Sequence, residues 1–215
     1  MIECQNHGVH LIQIFDDEMV NKLPIIKSRI LSYLGKNHKH YARKLQIVEL
    51  PSSDYTKFLK SHHLQGVAGA SIRLGLIDQS KKLLAVMSFS KSRYTDHEYE
   101  MIRYCSDGNV VGGASKLFSY FVKTYSPKSI VSYANRCWSN GKLYQTLGFN
   151  DETKDQLNTG VWYFNRYERI HRSNLTKKRL VDLGYSKDKT ADEIIDELGY
   201  LKVYDCGNLK FVWNK

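Results

Sequence analysis

The chain has 215 residues, 42% of them hydrophobic and 12% aromatic, and no apolar run approaches the roughly 18 residues that a membrane helix requires. Its 32 Lys and Arg against 22 Asp and Glu give a formal net charge of +10, which favours a polyanion, DNA more than RNA, as the partner. The opening segment lacks the basic and apolar regions of a secretory signal, so we expect a cytoplasmic protein that does not act at a membrane.

Cysteine and histidine positions predict no metal site and no disulfide framework. The four cysteines form no Cys-x-x-Cys pair. Cys4, His7 and His10 have a spacing that metal ligands can adopt, but no fourth partner is near them in the sequence.

Residues 1–41 predict an N-terminal extension followed by a linker. Val9–Phe15 has an apolar, strand-like pattern. The acids Asp16–Glu18 then favour the start of a helix over residues 19–34. Gly35–Tyr41 is polar and basic, which is typical of a linker.

Residues 42–165 predict the main domain, in which strands and helices are mixed. The predicted strands are 45–50, 72–77, 83–90, 99–105, 129–134 and 160–164, and the predicted helices are 55–61, 113–125 and 140–147. This order predicts an α+β fold with a mostly antiparallel sheet, flanking helices and one parallel strand–helix junction, where ligands tend to bind.

Residues 166–215 predict a basic C-terminal extension. Its first part carries seven basic residues against one acid, a composition that is typical either of a solvated face or of a surface that follows a phosphate backbone. Thr190–Glu193 has the pattern of a capping box, which predicts a helix to about Leu198. Residues 200–204 and 209–213 predict a hairpin.

The most informative stretch is Asn109–Phe118, which predicts a glycine-rich turn that leads into a helix. Gly112 and Gly113 allow the bend, and the first amides of the helix would attract an anion. The alternative is a glycine-capped core helix without a ligand, because one glycine turn is a weak motif.

This stretch resembles the pyrophosphate-binding signature of the GNAT acyltransferase superfamily, with Asn109, Gly112 and Ala114 at the signature positions. The superfamily prefers Gln or Arg where this chain has Asn109. Tyr144–Phe149 is similar to the Tyr-x-x-x-Gly-Phe that often ends the next helix of that family. The resemblance implies a GNAT-like fold, acetyl-CoA or a related acyl-CoA as the donor, and a tyrosine that protonates the leaving thiolate. A structural tyrosine in the core is the alternative.

A closer resemblance is to phage proteins described as homing-endonuclease-like and, through their GNAT-like part, to the phage Mom DNA-modification protein. It is carried by Phe58–Gly66, Arg103, Val110–Phe118, Ser132–Asn135 with Trp138, and Gly199–Asn208. In that group residues 1–34 look like the end of a nuclease domain. Three acids crowded at one helix start do not supply the carboxylates of a nuclease metal site, so we predict no nuclease activity.

The resemblance implies three groups of site residues. The catalytic set is Arg103, Ser115, Asn135 and Tyr144. The residues expected to bind the acyl-CoA are Asn109, Val111, Gly112, Gly113, Ala114 and Ser115. The residues expected to contact nucleic acid are His63, Tyr133, Arg136, Trp138, Arg166, Arg169, Arg172, Lys177, Lys178 and Arg179.

Three functions remain open from the sequence. The first is a transferase that acylates a base amine of DNA, with Tyr133 or Trp138 stacking on a flipped-out base. The second is a noncatalytic DNA-binding module, and the third is a small-molecule acyltransferase. Asn135 bears on whether the chain is catalytic, because the relatives have aspartate there and asparagine cannot act as a base. Either the reaction needs only a hydrogen bond at this position, or the chain has lost the chemistry and kept the binding. A homodimer is a further arrangement that the sequence leaves open.

Overall fold

The computed structural model describes residues 2–93, 96–153, 159–165 and 168–215. Their backbone divides into two compact units. The large unit comprises Asn21–Ala134, Gly141–Thr153 and Leu209–Lys215, and the small unit comprises the described residues of 1–20, 135–140 and 154–208. These units differ from the predicted segments 1–41, 42–165 and 166–215, because the chain leaves the large unit and returns to it. None of the helices in the described ranges is long and apolar enough to cross a membrane.

The large unit is built on one sheet of seven strands and a short parallel pair. The short pair is β1 (Lys39–Tyr41) with β6 (Asn109–Val111), and the strands of the large sheet are β2 (Gln46–Glu49), β3 (Ile72–Ile77), β4 (Leu83–Lys91), β5 (Tyr99–Ser106), β7 (Ser129–Asn135), β8 (Asn150–Asp151) and β12 (Asn208–Asn214). The strand order is β2-β3-β4-β5-β7-β12-β8. The β2–β3, β3–β4, β4–β5 and β8–β12 pairs are antiparallel, whereas β5 and β7 are parallel. The predicted α+β fold with a mostly antiparallel sheet is confirmed.

Helices cover both faces of this sheet. The helices of the chain are α1 (Ile2–Asn6), α2 (Asp16–Tyr33), α3 (Ser52–His62), α4 (Gly113–Tyr125), α5 (Lys142–Thr146), α6 (Lys177–Asp182) and α7 (Ala191–Glu197). Side chains of a strand alternate between faces, so Val86 packs in the α3 cluster while its neighbour Met87 packs in the α4 cluster. Phe121 of α4 stacks on Phe89 of β4, with ring centroids 3.6 Å apart. The apolar face of the helix after the glycine turn is therefore buried as predicted.

The small unit has its own sheet and core. Its strands are β9 (Val161–Phe164), β10 (Arg169–His171) and β11 (Leu201–Tyr204), in the order β10-β9-β11. Tyr163 packs with Leu180 of α6 and with Ile194 and Ile195 of α7. The predicted capping box of α7 is present, because Thr190 accepts from the Glu193 amide and the Glu193 side chain accepts from the Thr190 amide.

The N-terminal prediction is partly wrong. Residues 2–6 form α1, and Val9–Phe15 forms no strand; the Gln13 amide instead donates to the Cys137 carbonyl at 2.9 Å. The predicted helix is present as α2, with a non-helical residue at Lys22 just before Pro24. Gly35–Tyr41 is more than a linker, because its end forms β1.

The prediction of a C-terminal hairpin is also wrong, although both of its strands are present. β11 pairs with β9 of the small sheet, whereas β12 lies between β7 and β8 of the large sheet. The predicted strand at 160–164 is present as β9, but it belongs to the small sheet and does not close the large one. Alternation along a strand predicts its faces and says nothing of its partner, so both errors concern pairing.

Candidate active site

A bulge in β5 positions the first candidate residue, Arg103. Ser88 of β4 pairs with Arg103, whereas the next residue, Phe89, pairs with Met101. Ile102 is therefore the extra residue of a β-bulge, which changes the direction in which the strand presents the residues that follow. Bulges of this kind are common beside functional sites.

The backbone ladder of the parallel pair β5–β7 ends just before the bulge. In the described residues the ladder consists of Tyr99 with Ile130 and Glu100 with Val131. At the next level a side chain bridges the strands, because Ser132 Oγ donates to the Met101 carbonyl at 2.9 Å. Backbone groups beyond this ladder are left for other partners. β5, α4 and β7 form the parallel strand–helix junction predicted from the sequence.

Tyr144 of α5 places its hydroxyl beyond the end of this ladder. The hydroxyl donates to the Tyr133 carbonyl of β7 at 3.3 Å and lies 3.4 Å from Ser132 Oγ. Its ring is stacked on Phe211 of β12, with centroids 4.6 Å apart and planes 5° apart. Burial raises the pKa of Tyr144, although Ser132 and Arg103 act in the opposite direction. The hydroxyl therefore keeps its proton at neutral pH, as a general acid requires.

Arg103 supplies the positive charge of the site. Its Nη1 donates to the neighbouring Ile102 carbonyl at 3.0 Å, and its buried Nε has no hydrogen-bond partner among the described residues. Burial lowers the pKa of Arg103, which remains charged at neutral pH. Its charge also lowers the pKa values of Tyr144 and His63. The structure thus brings Arg103 near both of these predicted site residues.

His63, at the end of α3, is an uncharged imidazole in this surrounding. Burial, followed by the charges of Arg103, Arg29 and Lys22, lowers the pKa of His63 to about 3. Its Nδ1 accepts from the Gln65 amide at 3.2 Å, which places the ring proton on Nε2. His63 can therefore donate a hydrogen bond from Nε2, but it is a weak base.

The sequence did not point to Tyr55 and Ser88, which lie beside this site. The Tyr55 hydroxyl is 2.8 Å from Ser88 Oγ and donates to the Ala68 carbonyl at 3.1 Å. Arg103 acts on the pKa of Tyr55 as well, although burial is the larger cause and raises that pKa. A serine inside the apolar run Leu83–Phe89 is the signal that could have indicated a buried polar group there.

The glycine turn has the predicted backbone. Gly112 has φ = 75°, a left-handed conformation that favours glycine, and α4 begins at the next residue. Val111, Gly112 and Ser115 are exposed, whereas Gly113 and Ala114 are buried. The exposed face of the turn can therefore be reached by a ligand.

Two neighbours already occupy part of this turn. The Ala114 amide donates to the Tyr104 hydroxyl, whose pKa burial raises to about 12. The Asn109 amide donates to the His38 carbonyl at 2.8 Å. Lys116 is also engaged, because its Nζ donates to the Ala42 carbonyl at 2.9 Å. Of the predicted acyl-CoA residues, Gly112 and Ser115 are the best placed to approach a phosphate. The backbone amides of Asn109 and Ala114 already donate to other groups of the chain.

Asn135, the fourth predicted catalytic residue, belongs to the small unit and caps a turn. Its Oδ1 accepts from the Cys137 amide at 2.9 Å, and its carbonyl accepts from the amides of Trp138 and Ser139. An aspartate would accept the same amide bond. The asparagine therefore has a structural explanation that does not involve proton transfer.

Three of the residues predicted to contact nucleic acid are buried. Trp138 and Arg136 are 2% and 7% exposed, so Trp138 cannot stack on a base in this conformation. Arg169 forms ion pairs with Glu18 at 3.1 Å and with Asp17 at 3.5 Å. Its guanidinium also lies 3.6 Å from the ring centroid of Phe15. The burial of these three side chains leaves little of their surface for a nucleic acid, and their contact with DNA stays a prediction.

Other predicted contacts remain accessible. Tyr133 of the large unit is 37% exposed, and Arg172, Lys178 and Arg179 of the small unit are exposed. Lys177 Nζ donates to the Ser186 carbonyl, and the Arg179 guanidinium donates to the Asn174 side chain. Arg166 lies outside the described residues.

Two of the four cysteines are poor nucleophiles, and the described residues contain no cluster for a metal centre. Burial raises the pKa values of Cys105 and Cys137 to about 12, so both thiols are protonated and unreactive. Among the described His, Cys, Asp and Glu residues, no group of three could hold a metal ion.

Comparisons with known proteins give only distant similarities. No family model and no curated protein matches the sequence. The fold is similar to spermidine/spermine N-acetyltransferase SpeG from Vibrio cholerae, with 12% identity, a TM-score of 0.42, and coverage of 80% of this chain and 94% of that one. It is also similar to histone acetyltransferase HPA2 and related acetyltransferase from Corynebacterium glutamicum, with 10% identity, a TM-score of 0.44, and coverage of 79% and 95%. Similarity at this level does not identify a substrate, so the function depends on the residues of this chain.

Proposed function

We propose that the chain is an acyltransferase that moves an acyl group from an acyl-CoA to an amine of DNA, as the Mom-like resemblance implies. The observation that carries this proposal is the protonated Tyr144 hydroxyl, held where the parallel strands β5 and β7 separate. That position combines an opening between two strands with a group that can release a proton.

The residues of the glycine turn fit the phosphates of such a donor. Gly112 leaves the backbone uncovered at the start of α4, and in the described part of the chain no side chain caps this end. The positive end of the helix favours an anion there. Gly112 and Ser115 would hold the phosphate, and bound acyl-CoA supplies an activated thioester.

The chain's own residues support direct transfer to the amine. Tyr144 holds a proton at Oη for the atom that becomes negative, and Arg103 stabilises negative charge near it. A base amine is uncharged at neutral pH, so it needs no deprotonation before its nitrogen attacks the thioester carbon. As the C–S bond breaks, the thiolate would take the Tyr144 proton, and the proton that the amine loses would return to the Tyr144 oxygen. The protonated thiols of Cys105 and Cys137 argue against an acyl intermediate on either of these two cysteines.

The charge of the chain favours DNA over a small amine as the acceptor. The formal net charge of +10 would repel a polyamine and attract a polyanion. Arg172 and Lys178 are exposed on the small unit. The alternative, a noncatalytic DNA-binding module, receives no special support from Asn135, since that residue caps a turn.

The test is the transfer of radiolabelled acetyl from acetyl-CoA to single-stranded DNA, duplex DNA or spermidine, with calorimetry of acetyl-CoA binding in parallel. Label in DNA supports the whole proposal. Label only in spermidine would overturn the DNA acceptor, and absence of acetyl-CoA binding would overturn acyl transfer. DNA binding without acetyl-CoA binding would favour the noncatalytic module.

A further inference from the structure

The large unit contains a cleft that reaches Asn109, at the start of the glycine-turn stretch, but is not lined by Gly112 or Ser115. Its volume is about 490 Å³, within the range of roughly 300–1,000 Å³ that small-molecule sites occupy. Three segments line it: the second half of α2, the end of α3, and the turn between β5 and β6. None of the residues to which we assign the transfer chemistry is among those that line it.

The α2 wall of this cleft offers hydrogen-bond donors. Ser28 and Ser32 both accept from the Asn37 side-chain amide, with each oxygen 3.0 Å from Nδ2. Because a serine hydroxyl has one proton, an oxygen that accepts from Asn37 can direct its own proton elsewhere. Arg29 lies between these serines on the same helix and lines the cleft with a guanidinium. This wall therefore suits an anion, and phosphate in particular.

The lining that comes from the end of α3 and from the β5–β6 turn offers acceptors. Ser61 Oγ donates to the Lys57 carbonyl at 3.3 Å, so its lone pairs face other partners. Asp107 is a carboxylate, whose charge is partly balanced by Lys82 at 2.8 Å. A ligand with hydroxyl or amino groups matches these acceptors, whereas a free cation is less favoured because Lys82 stands beside the carboxylate.

The turn that carries Asp107 is fixed by tight packing. Gly108 has φ = 70°, and a Cβ at this position would lie 2.9 Å from the His38 carbonyl. The Asp107 amide donates to the Leu84 carbonyl at 2.8 Å. The turn that carries Asp107 is therefore held in place without a ligand, as a preformed site requires.

We propose that this cleft binds a nucleoside monophosphate unit, with the phosphate against Arg29, Ser28 and Ser32 and with sugar hydroxyls or base amines against Asp107 and Ser61. A phosphate at one end and donors at the other match the two walls. The Tyr33 ring adds a flat aromatic surface to the lining. The unit can be a free nucleotide or one residue of a single strand, and this assignment does not depend on the proposed acyl transfer.

The test is calorimetry of the full chain with each of the four deoxynucleoside monophosphates, the matching deoxynucleosides, and a single-stranded oligonucleotide. We expect at least one monophosphate to bind, its nucleoside to bind more weakly, and Arg29→Gln to weaken the monophosphate at least about tenfold. Lys27→Gln is the matched control, because Lys27 is an exposed cation of α2 that does not line the cleft. Arg29→Lys tests the guanidinium with the charge retained and should lie between wild type and Arg29→Gln.

The outcomes separate the nucleotide cleft from the acyl-transfer site. Equal binding of a monophosphate to wild type and Arg29→Gln, or no binding of any monophosphate, overturns the cleft assignment. Weakening of acetyl-CoA binding in Arg29→Gln as large as that of the monophosphate also overturns it, because the nucleotide would then share the donor's site. Unchanged acetyl-CoA binding in Arg29→Gln supports two separate sites. Tighter binding of the oligonucleotide than of any monophosphate identifies a nucleic acid strand as the source.

Discussion

The Tyr144 hydroxyl donates to the Tyr133 carbonyl at 3.3 Å, which ties α5 to β7 at the point where β7 leaves β5. Removing only that hydroxyl in Tyr144→Phe should leave the stacking on Phe211 in place and lower acyl transfer by about 10²–10⁴-fold, the usual contribution of a general acid. Single-turnover transfer checks this. Tyr120→Phe, at a half-buried tyrosine of α4, is the control, and an equal decrease in both variants would contradict the assigned role.

His63 should make stability depend on pH. Its pKa is about 3 in the folded chain and about 6.5 when unfolded, so the unfolded chain binds more protons in that window. Stability should fall as pH decreases from about 6.5 towards about 3, by up to a few kcal/mol. Urea denaturation of wild type and His63→Gln at several pH values measures the effect. A pH dependence that persists unchanged in His63→Gln would exclude this histidine as its source.

Arg169→Gln should destabilise the chain strongly. The substitution leaves Glu18 and Asp17 without their buried partner, and breaking such a pair costs about 3–5 kcal/mol. It also removes the cation–π interactions with Phe15 and Trp162. Arg172→Gln, at an exposed arginine of the same run, should change the free energy of unfolding by less than about 0.5 kcal/mol. Similar destabilisation in the two variants would show that the ion pairs do not form in solution.

The exposed cations should govern the salt dependence of DNA binding. Arg172 and Lys178 have accessible side chains, so neutralising both should reduce the slope of log K against log salt by about 0.9 for each phosphate that the protein no longer neutralises. Fluorescence anisotropy over a salt series measures the slope. Lys116→Gln is unsuitable as a control, because Lys116 holds backbone carbonyls; Lys27→Gln is suitable. A slope that does not change would remove this segment from the DNA interface.

Asn135→Asp should leave both fold and activity close to wild type. The new carboxylate accepts the Cys137 amide bond as the asparagine does. Asn135→Ala should instead cost about 1 kcal/mol, because that amide would have no side-chain acceptor. Denaturation and acetyl transfer to DNA check both variants. A large gain of transfer in Asn135→Asp would show that an acid at this position takes part in the chemistry.

Local patterns predicted most of the elements of the large unit. The apolar runs at 72–77 and 83–90 and the glycine turn before α4 each depend on residues close in sequence, and they are found where the sequence indicates. The pairing of distant elements could not be predicted in this way. Arg169 and Glu18 are separated by 151 positions, so the sequence gives no sign that this member of a basic run forms a buried ion pair.

In the candidate site, too, some features could be predicted from the sequence and others could not. Arg103 and Tyr144 were indicated by resemblance, and the structure places them close enough for the charge of one to affect the pKa of the other. The burial of Trp138 and Arg136 could not be predicted, because short polar loops resemble one another whether they are exposed or covered. The bulge at Ile102 leaves no mark in the composition of β5, yet it determines where Arg103 lies.

The position of β12 between β7 and β8 has a consequence for synthesis. A ribosome releases residues 46–135 long before residues 208–214. The edge of β7 that pairs with β12 in the folded chain therefore has no partner until β12 has been synthesised. Unpaired edges of this kind are sites of aggregation. Expression at low temperature or with chaperones that bind exposed strands should therefore raise the yield of folded protein more than changes to the surface charge would.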